Sequence, residues 1–155
     1  MEKKVSRPIS PKARHQARKF AVQAIYQWQL SGDDVNEILV QYLVDMNTKR
    51  NDVDYFRELV FAVAQRATHL DELFVKYLDR PLDDIGPIEL AILRMASYEL
   101  NDRIDVPYKV VINEAIELTK IFGAEESHKY VNSILDKVAA HLRVLEITSA
   151  TGFVA

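Results

Sequence analysis

The chain has 155 residues, 48% of them hydrophobic and 28% charged, with a net charge of −3; that is the make-up of one compact folded domain, too short for two ordinary ones. It contains no cysteine, which excludes a disulfide framework and a thiolate metal site and makes the cytoplasm the expected compartment. No apolar run reaches the roughly 18 residues of a membrane span, and "MEKKVSRPISPKAR" has no apolar segment behind its basic residues, so it does not read as a secretory signal.

The elements follow in chain order. Residues 1–9 read as a basic, flexible leader. Helix 1 should begin at Ser10-Pro11, a cap hydroxyl followed by proline at the first helical position, and run to about Leu30. A second helix from about Asp34 carries Val35, Ile38, Leu39, Tyr42, Leu43 and Met46 at spacings of three and four. After the polar break "NTKRND", apolar residues from Phe56 to Leu78 mark a long helix with a bend expected near His69. "RPLDDIGP" is a turn, and Pro87 opens a short helix through Ala96. "DRIDVP" breaks the pattern before a helix from Pro107 to Phe122-Gly123. A last helix starts near Glu125 and carries Val131, Ile134, Leu135, Val138 and Leu142. Residues 144–155 have no period and are expected to form a disordered tail. The whole reads as an all-α bundle of six or seven helices, with residues 10–143 as the domain.

Charge is unevenly spread. Residues 1–19 carry seven basic residues against Glu2 alone, leaving 13 of the 20 basic and 22 of the 23 acidic residues to the remainder. A basic segment on an acidic body suggests contact with an anion, and a solvated leader is the rival account. On a helical wheel, Ala13, Ala17, Phe20, Ala21, Ala24, Ile25 and Trp28 share the expected core face of helix 1. Arg14, His15, Arg18, Lys19, Val22 and Tyr26 fall on the other side. That face is a cationic stripe with an aromatic in it: lysine and arginine suit phosphates, and a ring suits an unpaired base.

The same pairing of cation and aromatic recurs twice. Lys76, Tyr77 and Arg80 end the third helix. "EESHKY" opens the last one, where unpaired N–H groups favour anions. There Glu125, Glu126 or Ser127 can cap while Lys129 faces out, and an incidental polar helix start remains the alternative. The four histidines show no i, i+4 pair and there is no HExxH, so no metal site is expected. With no Gly-rich phosphate loop and no nucleophile elbow, neither an enzyme nor a bound cofactor is expected.

Four stretches in this order, "ARKFAVQAIYQWQLS", "DYFRELV", "AILRMASYEL" and "DVPYKVVINEAIELTKIFGAEESHKYVNSILDK", resemble the NusB family of bacterial transcription antitermination factors. The resemblance covers about residues 10 to 142. It implies an all-helical protein that binds boxA, a short single-stranded RNA element of ribosomal RNA transcripts. Binding would be joint with NusE, the ribosomal protein that doubles as a transcription factor, within a complex that keeps RNA polymerase from terminating early. The family's RNA path implies contacts from Lys12, Arg14, His15, Arg18, Lys19 and Tyr26 on helix 1. It adds Lys76, Tyr77 and Arg80 after the third helix, and Glu126, Ser127, Lys129 and Tyr130 at the start of the last. Two departures stand out: His15 and Gln16 interrupt the family's arginine run, and Glu126 occupies a position that is often aspartate. The resemblance also implies that Asp84 and Glu89 meet the basic surface of NusE, whereas capping of the helix at Pro87 would explain both without a partner.

Two other readings compete. The RNA-binding domain of a ribosomal-RNA cytosine methyltransferase is similar to NusB, but it would be followed by a cofactor loop and a catalytic cysteine, and this sequence has neither. A helical protein-interaction module with a solvated leader would show no salt-dependent RNA binding.

Overall fold

In a computed structural model, residues 10–150 are described and form helices with no strand among them. The helices are α1 (Pro11–Ser31), α2 (Val35–Asp45), α3 (Val53–Phe74), α4 (Pro87–Asp102), α5 (Tyr108–Phe122), α6 (Ser127–Leu142) and α7 (Val144–Ala150). Two short 3-10 turns, Val75–Tyr77 and Leu82–Asp84, link α3 to α4.

The ends follow local chemistry. Ser10 Oγ accepts from Ala13 N–H at 3.0 Å with Pro11 beside it, which fixes the start of α1. Gly32, at φ 69°, closes α1 in the left-handed conformation that glycine adopts without steric cost. Asp34 and Asp52 cap α2 and α3 through their side chains. The bend in α3 lies at Arg66 (φ −119°, ψ 20°), one turn before the expected His69. There Arg66 reaches Asp102 at 2.9 Å, and its guanidinium lies 5.8 Å from the centre of the Tyr98 ring.

Helix α4 forms the centre of the bundle. Ala91, Ile92, Leu93, Met95, Ala96 and Leu100 are all buried, and α1, α3, α5 and α6 pack around them. Arg18 on α1 pairs with Glu99 near the end of α4, while Gln29 near the end of α1 donates to Pro87 O at its start. The two helices therefore run antiparallel, and the C-terminal part of α1 adjoins the loops around α4's first turn.

The segment from 144, expected to be a disordered tail, continues as α7 up to Ala150. Arg143 explains this: 4% exposed, it donates to the carbonyls of Glu99, Leu100, Arg103 and Val106, tying the start of α7 to the end of α4 and the loop after it. It also pairs with Glu146 at 2.5 Å, and Glu146 accepts from Tyr108 N–H at 2.9 Å. The leader, 1–9, and residues 151–155 lie outside the described residues.

Candidate functional site

The three segments singled out by charge and aromatic content fare differently. The second and third come together. Arg80 lies with its guanidinium 4.6 Å from the centre of the Tyr130 ring, and Tyr130 Oη accepts from Asp79 N–H at 3.2 Å. Asp79 holds the same guanidinium from the side at 2.7 and 3.3 Å. The bond from Arg80 holds the Asp79 carboxyl down to about 2, with the Tyr130 hydroxyl adding to the effect. A half-buried tyrosine is thus anchored at its hydroxyl and covered on one face by a cation. Exposed Lys76 sits close by in sequence, 5.2 Å from the centre of the Tyr77 ring.

The turn before α6 presents this tyrosine. Glu126 adopts φ 70°, the only positive φ of a non-glycine among the described residues. Such a conformation costs about 1–3 kcal/mol and persists where the surroundings impose it. Glu89 on α4 supplies the constraint: its Oε2 accepts from Ala124 N–H at 3.1 Å and lies 2.9 Å from Ser127 Oγ. Ser127 Oγ is also 2.7 Å from Ala124 O, so its single hydrogen serves one acceptor at a time. Gly123 is required here, because a Cβ would lie 2.8 Å from the Thr119 carbonyl and 2.7 Å from Glu89 Oε2. None of the expected side-chain caps forms at the start of α6. Glu126 instead reaches Lys129 at 2.6 Å, across an exposed pair.

Glu89 is therefore engaged within the fold through Oε2 and is half-buried. Asp84 is exposed in the second 3-10 turn. Neither caps α4, whose cap residue is Gly86.

The helix-1 stripe is corrected at Arg18 and Val22. Arg18, expected to meet phosphate, is 2% exposed and donates to both carboxylate oxygens of Glu99, at 2.9 and 2.8 Å. Burial alone would lower the Arg18 pKa, and the hydrogen bond and charge of Glu99 reverse that and raise it. Tyr55 donates its hydroxyl to the same carboxylate, and burial followed by the Glu99 charge pushes its pKa far up. Val22, read as exposed, is also fully buried. Arg14 remains partly accessible, 4.0 Å from the centre of the Tyr55 ring and 3.4 Å from Asp52. His15 Nδ1 lies 2.6 Å from Glu114. Lys12 is exposed, and Lys19 and Tyr26 are half-buried.

Two grooves hold most of the rest. Tyr26 lines a groove of about 480 Å³ with Ile88, next in sequence to Glu89. Glu89, Ser127, Tyr130 and Arg80 line a second groove of about 390 Å³. Tyr26 therefore lies toward the first turn of α4, the same end from which Glu89 reaches the Tyr130 turn, and Arg14 lies roughly 18 Å back along α1, at 1.5 Å per residue. Sequence reasoning missed Asp79, which positions Arg80, and Glu89 as the support of the turn. An acidic residue directly before an arginine was the available signal for the first; nothing local signals the second, 38 residues from Ser127.

Among the described residues, no group of three or more histidines and carboxylates could hold a metal ion, and no helix is long and apolar enough to cross a membrane.

A model described as the NusB family matches residues 15–140. Transcription antitermination protein NusB of Shewanella sp. (strain MR-4) is 54% identical over 132 residues, spanning 85% of this chain and 98% of that protein. The protein of the same name from Idiomarina loihiensis is 55% identical over 135 residues, 87% and 97% of the two chains. Among solved structures, T. maritima NusB matches with a TM-score of 0.74 at 28% identity, over 85% of this chain and 92% of that one. A chain of a crystal structure of antitermination factors NusB and NusE with double-stranded RNA matches at TM-score 0.72 and 24% identity, over 85% and 99%. The last similarity speaks for the fold alone.

Proposed function

The chain belongs to the NusB family, and on that premise we propose that it is a cytoplasmic transcription antitermination factor binding single-stranded RNA. Its RNA is the boxA element of ribosomal RNA transcripts. It binds that element together with NusE, and the pair nucleates an antitermination complex on RNA polymerase. The names of its relatives support the biological role, and the Arg80–Tyr130 pair carries the RNA reading.

A single strand offers phosphates and unpaired bases. Stacking on an aromatic ring contributes about 1–3 kcal/mol per base, and each phosphate contact adds a salt-dependent increment. Tyr130, with one face covered by Arg80 and its hydroxyl tied to Asp79, presents its ring without first having to order it. Lys76 and Lys129 supply phosphate contacts around it, Ser127 and Glu126 shape the turn, and Tyr77 and Tyr26 extend the aromatic surface. Along α1, Lys19, Arg14, His15 and Lys12 continue the track. Arg18 acts through Tyr55 and Glu99 and does not reach RNA. For NusE, exposed Asp84 is the contact, and Glu89 contributes by holding the turn between α5 and α6.

The test is a titration of boxA RNA by fluorescence anisotropy at two salt concentrations, with and without NusE. The reading requires a steep fall of affinity with salt and a gain when NusE is present. Affinity that is indifferent to salt, or equal for an unrelated RNA, overturns it.

A further inference from the structure

A second basic groove lies at the opposite end of α1, away from Tyr130. The turn between α2 and α3 builds it. Asn47 Oδ1 accepts from Lys49 N–H at 2.8 Å, and Asn47 O accepts from Arg50 and Asn51 N–H at 3.2 and 3.1 Å. Asp52 N–H then donates to Ala13 O at 3.2 Å, pinning the turn against the first turn of α1. The result is a groove of about 610 Å³ lined by Lys12, Gln16, Phe20, Lys49 and Arg50 among others, with no carboxylate among the described residues of its walls. That volume lies within the roughly 300–1,000 Å³ of ordinary ligand sites.

Three cations without a carboxylate partner among the described residues line the groove. Elsewhere Arg14, Arg18, Arg66, Arg80, Arg94, Arg103, Lys129 and Arg143 are each ion-paired with a carboxylate. Lys12, Lys49 and Arg50 make no ion pair among the described residues, and all three are exposed. Lys19, Arg57, Lys76, Lys109 and Lys137 are unpaired among the described residues as well, but Lys12, Lys49 and Arg50 are the three unpaired cations that this groove gathers. Phe20 adds a half-buried ring, held edge-on by Tyr42 at 6.5 Å, and Gln16 a half-buried amide.

We infer that this groove seats a further nucleotide of the bound single strand, beyond the Arg14 end of the track. Lys49, Arg50 and Lys12 hold its phosphates, the base lies against Phe20, and the Gln16 amide meets the base edge. This rests on the RNA reading above and extends it to the α2–α3 turn. Cations suit phosphate oxygens, and rings among cations suit bases of any identity, so the seat adds affinity more than sequence preference.

The experiment compares the wild-type full chain with a Lys49→Ala/Arg50→Ala variant. Each binds a boxA oligonucleotide and the same oligonucleotide lengthened by a few nucleotides at either end in turn. For the wild type, lengthening at one end should raise affinity roughly tenfold and steepen the salt slope by about 1.4, two single-strand phosphate contacts. The variant should bind the short RNA like the wild type, show no slope increase from the added length, and keep at most the part of the affinity gain that comes from Phe20. With abasic units in the extension, the slope increase should persist while part of the affinity gain is lost. An equal gain in both proteins overturns the seat while leaving the track intact. An abasic extension that binds as tightly as the natural one overturns the Phe20 contact. Failure of the short RNA to bind the wild type overturns the RNA reading itself, and the seat with it.

Discussion

Arg18 and Glu99 meet side by side in the interior, 81 residues apart in sequence, with side chains 2% and 1% exposed. Tyr55 donates its hydroxyl to the same carboxylate, and the guanidinium groups of Arg14 and Arg103 lie 4.0 and 4.9 Å from the centre of its ring. Removing one member of a buried pair costs about 3–5 kcal/mol, because the other charge is left uncompensated. Arg18→Ala should therefore lower the melting temperature by on the order of 10 °C, at about 2–4 °C per kcal/mol for a chain of this size. A thermal melt checks it. An unchanged melting temperature with a reduced salt slope for RNA would restore Arg18 to the surface.

Glu89 should show a mixed phenotype. Its carboxylate supports Ala124 N–H and Ser127 Oγ, both at the turn that presents Tyr130. Glu89→Ala removes those contacts at a partly exposed site, costing about 1 kcal/mol. It also releases the constraint on Glu126 at φ 70°. RNA affinity should fall even without NusE, with little change in salt slope, since no phosphate contact is lost. Unaltered RNA binding alongside weaker NusE binding would place Glu89 directly at the protein partner.

The Arg80–Tyr130 pair should withstand mild acid. Asp79 ordinarily titrates at 3.8 and is held down to about 2 by Arg80 and Tyr130. A lowered carboxylate pKa favours the ordered arrangement above the ordinary value and loses that contribution as pH falls through the lowered one. Between pH 5 and 8, roughly, the pair should be indifferent to pH, and its order should decline between about pH 4 and 2. NMR of the Arg80 Nε–H follows it directly. A transition near neutrality would contradict the Asp79 anchor.

The helices were legible because their signals are local: Ser10-Pro11, Asp34, Gly32 and the spacing of Val131, Ile134, Leu135 and Val138 all act within a few residues. Arg18 was not. A wheel sorts by residue type, and an arginine is assigned to water unless its buried partner is known. The one trace was Glu99, an acid inside the apolar stretch "AILRMASYEL". Likewise α7 has no strong period of its own and depends on Arg143, Glu146 and the end of α4. At the site, the cation–aromatic pattern was readable in each segment, but not the meeting of Arg80 with Tyr130, which depends on packing between α6 and the turn after α3. Lys49 and Arg50 read as a polar break, because nothing local brings them to Lys12.

The most direct measurement is the affinity for boxA RNA across a range of salt, for wild type, Lys76→Ala and Tyr130→Ala, each corrected for its folded fraction by a melt. A stacking platform surrounded by phosphate contacts requires two distinct losses. Lys76→Ala should lower the salt slope by about 0.7, one single-strand contact. Tyr130→Ala should cost roughly 1–3 kcal/mol with the slope nearly unchanged. A Tyr130→Ala protein that melts several degrees lower, yet binds RNA per folded molecule as the wild type does, would make Tyr130 a packing residue and contradict the account.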